Sequence, residues 1–181
     1  MSIKSTPTRY GTVAIAVHWV AALLIAGQFV GGFLAARAGD AEVKASILRA
    51  HLPLGLVILA LTLFRMGWWA FADRRPGAAE DWPRGEAIAA RFVRFVMYLA
   101  ILVLALSGIA LIAISGAGAA LFGGERAALP DFPAFPPFYA HATAAVAFLL
   151  LLAAHIGAAL HHQFVRRDRL LARMGIGRAG T

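Results

Sequence analysis

The sequence contains no cysteine among its 181 residues. That absence excludes disulfides, Cys-ligated zinc, iron–sulfur clusters, thiol catalysis and haem attached covalently through Cys-x-x-Cys-His. Charge is scarce as well: 14% of residues are Asp, Glu, Lys or Arg, where a soluble domain carries roughly a quarter. Acidic residues are the scarcer sign, 9 against 17 basic ones, for a formal charge of +8. With 61% hydrophobic residues and a mean hydropathy of +0.75, too little polar surface remains to cover a soluble globule. The chain therefore reads as a membrane protein. Its basic excess fits Lys and Arg collecting on the cytoplasmic side and does not point to nucleic acid.

Four apolar stretches are present, at about residues 13–34, 47–71, 92–114 and 139–160, the last reaching 162 at its widest. Each is near the ~20 residues that cross the hydrocarbon core as a helix. An open strand would leave backbone groups unpaired in lipid, so helix is the expected state. The expected fold is an all-α membrane protein, an up-down bundle of four transmembrane helices forming one domain over residues 1–181. Lys4, Arg9 and Ala36-Arg37-Ala38 give the start a signal-peptide look. The run is about twice the length of a typical apolar signal region and holds His18 and Gln28, so a retained helix is expected.

The connections set an orientation. The second carries Arg74, Arg75, Arg84 and Arg91, and the tail carries Arg166, Arg167, Arg169, Arg173 and Arg178. The first mixes Arg37, Lys44 and Arg49 with Asp40 and Glu42, and the third has Arg126 against Glu125 and Asp131. Positive-inside counting predicts that both termini and the second connection are cytoplasmic, with the first and third outside. Within the third connection, 115–138, the stretch 129–138 is rich in Pro and Phe. Its aromatics suit either the outer membrane interface or a lid over a lipid-soluble substrate.

Six histidines remain to be explained: His18, His51, His141, His155, His161 and His162. An ionisable residue within a span is costly and marks a functional site by default. At 1.5 Å rise per residue, His18 and His155 each lie roughly 9 Å below the inner boundary. His51 and His141 fall in the opening turns of helices that start outside. Depth therefore pairs His18 with His155 and His51 with His141. His141 and His155 are about four turns apart, so one face of the fourth helix presents both, about 21 Å apart along the axis. Two imidazoles without a carboxylate or thiolate make a poor zinc site. Haem brings four nitrogens of its own and needs only the axial pair, and a filled six-coordinate iron suits electron transfer. A proton relay is the rival use, but the spans hold no Asp or Glu to extend one.

Arg65 shares the face of His51 but lies about 21 Å nearer the cytoplasm, level with the inner pair. It could meet haem propionates or snorkel to the boundary. Gly31, Gly32, Gly55, Ser107, Gly108 and Gly157 could allow close helix approach or leave room for flat macrocycles. Ligation by His162 would put the inner site about 31 Å from His141, across the whole core. His161 and His162 are therefore expected at the interface, His162 as a neighbour of the inner site.

These residues resemble the bacterial cytochrome b561 family. The resemblance rests on Arg9-Tyr10, Val17-His18-Trp19, His51 with Leu54-Gly55, Arg65, and His155 followed by His161-His162-Gln163-Phe164-Val165-Arg166-Arg167-Asp168 and Leu170-Leu171-Ala172-Arg173-Met174. It implies a cytochrome with two b-type haems in the bacterial inner membrane, ligated by the four histidines already chosen, exchanging electrons with ubiquinone of the quinone pool. Some members resemble superoxide oxidases with ubiquinone as acceptor; others look like relay subunits serving hydrogenases, other dehydrogenases or a redox protein partner. Many relatives carry a further histidine near the start of the third helix. This chain has Ala89-Ala90-Arg91-Phe92-Val93-Arg94 there, so no role of that residue is carried over. Steering superoxide needs a positive mouth. The two outer connections nearly cancel in charge, which leaves a local funnel of Arg37, Lys44 and Arg49 as the candidate.

Overall fold

The computed structural model describes residues 2–77, 82–123, 128–168 and 170–177. Glu125, Arg126, Arg169 and Arg178 lie outside the described residues. Four long helices dominate: α1 (Thr12–Arg37), α2 (Ala41–Gly67), α3 (Arg84–Ser115) and α5 (Pro136–Leu160). Two short ones, α4 (Ala117–Phe122) and α6 (Leu170–Arg173), accompany them. α2 and α5 each run on through a π-helical turn, Trp68–Ala72 and His161–Arg166. The four long helices are long and apolar enough to cross a membrane. The chain is an all-α, multi-pass membrane protein.

The helices outrun the apolar stretches that announce them. α2 starts at Ala41 and not near residue 47, because the Asp40 side chain accepts from the Val43 amide at 2.8 Å and caps a polar first turn. α3 starts at Arg84 and not near residue 92, taking the polar residues Glu86 and Arg91 into its first two turns. α5 opens on Pro136, whose missing N–H needs no partner there. α3 ends where Gly116 takes φ +71°, a left-handed turn that glycine adopts without strain and that folds α4 back.

Packing comes in two hairpins. α1 lies along α2 and α3 along α5, while α2 and α3 meet more briefly. Large apolar side chains such as Leu23, Leu56, Phe92 and Leu150 remain exposed on the outward faces, as lipid contact requires. Between the hairpins, Phe148 of α5 is the most deeply buried large side chain described, at 1% exposure. It stacks on Phe29 of α1 with ring centres 5.8 Å apart and planes 10° apart.

The two ends of the bundle differ. At the end bearing the termini, the segment before α1 is clasped to the rest. The Ser5 amide and hydroxyl donate to Asp73, at 3.0 and 2.8 Å to the same oxygen, and the Trp68 indole donates to Asp73 at 3.2 Å. Burial alone would push the Asp73 carboxyl up, but these bonds and one from the Arg74 amide hold it below its ordinary value. Arg173 donates to the Thr8 carbonyl at 3.0 Å, and the Trp19 indole to the Met174 carbonyl at 3.0 Å. At the opposite end, Ala45, Ala117, Leu121 and Phe132 form a buried cluster with Leu48, Leu52, Ile112 and Phe138 packed around it. This corrects the interfacial reading of the third connection in part. Phe132 turns inward beneath α4, whereas Tyr139 stays exposed.

Phe148→Ala would open a cavity between the hairpins and is expected to cost about 3–5 kcal/mol. A fall in the thermal midpoint of the detergent-solubilised protein checks it.

Candidate functional site

α5 is the element on which the histidines converge, since it runs unbroken from Pro136 to Leu160 and carries His141 and His155. The structure brings His155 beside His18 of α1, with ring centres 6.4 Å apart and planes at 68°. It brings His141 beside His51 of α2, with ring centres 6.3 Å apart and planes at 64°. With α2 starting at Ala41, His51 stands well inside the helix and not in its opening turns.

Each pair has its own supports. The His141 Nδ1–H donates to the Leu104 carbonyl at 2.9 Å, with the Ser107 hydroxyl 3.2 Å away. Ser107 is itself buried and donates to the Val103 carbonyl at 2.6 Å. A neutral ring held this way keeps its Nε2 lone pair free. The glycines prove to be cradles. A Cβ at Gly32 would stand 3.2 Å from the His51 ring, and one at Gly108 3.4 Å from the His141 ring. Gly55 makes room for Gln28, which donates to the His51 carbonyl at 2.9 Å. Gly157 has nothing near its Cβ position. The His51 Nδ1 is buried without a hydrogen-bond partner among the described residues.

Arg65 reaches the terminal-side pair, its Nη1 lying 3.2 Å from the Nδ1 of His18. Trp19 packs edge-on against the same ring at 5.2 Å.

Sequence reasoning did not find a third feature. His162, expected at the interface, is buried and lies 2.5 Å from Asp168. Trp82 stacks on its ring at 4.3 Å and donates to the same Asp168 oxygen at 3.1 Å. The π turn creates this dyad: Arg167 takes a left-handed φ of 59°, which folds Asp168 back onto His162. The signal available was Asp168 as the one acid in an arginine-rich tail. His161 stays exposed.

Among the described residues, no three His, Cys, Asp or Glu side chains gather to hold a bare metal ion. Each histidine pair offers two nitrogen donors and nothing more. Two imidazoles sharing one ion at about 2 Å each have ring centres about 6 Å apart, which both pairs match. Such a pair fits a metal whose other ligands come from a flat macrocycle, and the glycine cradles admit the rings close to the neighbouring helices.

Comparison with known proteins agrees in kind. The model of the prokaryotic cytochrome b561 family matches residues 9–177. Cytochrome b561 homolog 2 of Escherichia coli K12 is 28% identical over 181 aligned residues, covering 96% of this chain and 95% of that protein. Cytochrome b562 of Cereibacter sphaeroides is 33% identical over 172, covering 91% and 94%. No solved structure matches the chain.

Proposed function

We propose a function from one fixed premise: the chain belongs to the prokaryotic cytochrome b561 family. It is a membrane b-type cytochrome of electron transfer. Within that class, we infer two haems per chain, one at His18 and His155 and one at His51 and His141. The observation that carries this reading is the near-equal ring separation of the two pairs, 6.4 and 6.3 Å, at a spacing that suits a shared axial ligand set. A haem held there would supply a one-electron carrier.

The residues of the chain then divide the work. Leu104 and Ser107 fix the His141 tautomer and so the nitrogen it offers. Gly31, Gly32 and Gly108 hold the outer rings against α1 and α3. Arg65, beside His18, places a positive charge at the terminal-side pair, where it favours an added electron and suits a propionate. Phe29 and Phe148 fill the space midway between the pairs with apolar rings and keep it dry.

The reaction we propose is superoxide:ubiquinone oxidoreduction in the bacterial inner membrane, with both termini cytoplasmic. Two superoxide anions are oxidised to dioxygen, and one ubiquinone takes the two electrons with two protons to give ubiquinol. At the outer end, Arg37 lies 3.7 Å over the Phe33 ring, Lys44 5.6 Å over Phe132, and Arg49 donates to the Leu121 carbonyl at 2.8 Å. Among the described residues none of the three pairs with a carboxylate, which suits them to draw in a small anion. At the terminal end, the His162–Asp168 dyad is a buried pair able to take and return protons, as a quinone half-reaction demands.

Purified protein is expected to carry two b-type haems. His51→Ala or His141→Ala should remove one, and His18→Ala or His155→Ala the other. One haem in the wild type, or full binding without His141, contradicts the pairing. In stopped-flow mixing, haem reduction by superoxide should slow as salt rises and slow further in Arg37→Gln/Lys44→Gln. A rate indifferent to both speaks for a different donor.

A further inference from the structure

Each described carboxylate of the terminal face has a polar partner, although the second oxygen of Glu86 is buried without one. Asp73 is held by Ser5 and Trp68, Asp168 by His162 and Trp82, and Glu86 by Arg166 at 2.6 Å. What is left between α2 and α3 is a group of donors without a carboxylate partner among the described residues. Arg65 and Arg75 lie over the Tyr98 ring, at 6.0 and 5.9 Å from its centre. Arg75 also lies 5.3 Å over the Trp69 ring, which rests edge-on against Tyr10 at 6.0 Å. Arg94, one turn before Tyr98 on α3, has Tyr10, Arg75 and Tyr98 among its charged and titratable neighbours.

Three N–H groups of this cluster are buried with no hydrogen-bond partner among the described residues: the Nε of Arg65, the Nε of Arg94 and the Nε1 of Trp69. An unpaired buried donor is costly, and a charged one more so. Aromatic faces orient guanidinium groups but do not accept these hydrogens as an oxygen does. Snorkelling does not relieve them, since the atoms in question are the ones turned away from solvent. The side-chain partner of Arg65, the Nδ1 of His18, is a nitrogen that must carry the ring proton if Nε2 binds a metal. Two donors cannot face each other, so Arg65 then needs another acceptor.

We propose that Arg65, Trp69, Arg75 and Arg94 form an oxyanion site between α2 and α3 at the terminal-side membrane boundary. Its ligand is a pair of carboxylate or phosphate oxygens, which planar guanidinium forks engage two at a time. Two sources have that chemistry: the propionates of a haem at His18 and His155, which rests on the function proposed above, and the phosphate of an anionic phospholipid.

The test uses the holoprotein in nanodiscs of phosphatidylglycerol and phosphatidylethanolamine, with Arg94→Gln and, separately, Arg75→Gln at an exposed position that spares the helix packing. Haem transfer to apomyoglobin and native mass spectrometry are the two readouts. Propionates as ligand predict that haem leaves one of the two sites about tenfold faster or more, the other site being unchanged. Phosphate as ligand predicts unchanged haem transfer and loss of a retained phosphatidylglycerol from the mass spectrum. No change in either readout for both variants overturns the proposal. So does the same loss from Glu80→Gln/Asp81→Asn, two acids outside the described residues, because the counter-ion would then belong to the chain. Failure of the haem reading itself is distinguishable, as a wild-type protein with no haem at His18 and His155. The phospholipid readout still decides the site in that case.

Discussion

Two imidazoles at each of two depths have to face each other between the α1–α2 and α3–α5 hairpins, and the bundle is arranged around that requirement. α5 meets half of it alone. Its unbroken run from Pro136 to Leu160 holds His141 and His155 on one face at a fixed separation. The other half comes from the α1–α2 hairpin, which presents His18 from one helix and His51 from the other. Because each hairpin packs mainly within itself, the side chains spanning the gap, His18–His155, Phe29–Phe148 and His51–His141, also align the two halves. Function and fold stability are therefore carried by the same few contacts.

The surroundings of the two pairs are unequal. The His51–His141 pair is framed by neutral groups: Leu104, Ser107 and the three glycines. The terminal-side pair has the Arg65 guanidinium at hydrogen-bond distance from His18. Positive charge favours a reduced centre, so a haem proposed at His18 and His155 would be the better electron acceptor of the two wherever that guanidinium charge is not fully neutralised. The ends of the bundle extend the contrast. One is stitched shut by the Ser5–Asp73 and Arg173–Thr8 clasp, and the other is plugged by the apolar cluster under α4.

Much of this was legible in the sequence, for specific reasons. Spans follow from length and hydropathy because lipid leaves the chain few alternatives. Depth counting brings His18 level with His155 because the rise of a helix is nearly invariant. The starts of α2 and α3 were not legible, since Asp40 and Pro83 extend helix into polar sequence where hydropathy falls silent. Gly32 and Gly108 read only as small residues; that they touch His51 and His141 depends on the rotation of α1 and α3, which no local pattern states. The His162–Asp168 dyad escaped because it needs a π turn and a left-handed Arg167, and neither has a reliable sequence signature.

The central claim is that each haem sits between two histidines held at a steep angle to each other, 68° and 64°. Low-temperature electron paramagnetic resonance of the oxidised protein tests it most directly. Steeply crossed imidazole planes give a strongly anisotropic low-spin signal dominated by one large g value, and two such centres per chain are predicted. A high-spin signal, a single centre, or the rhombic three-line pattern of parallel imidazoles would contradict the account.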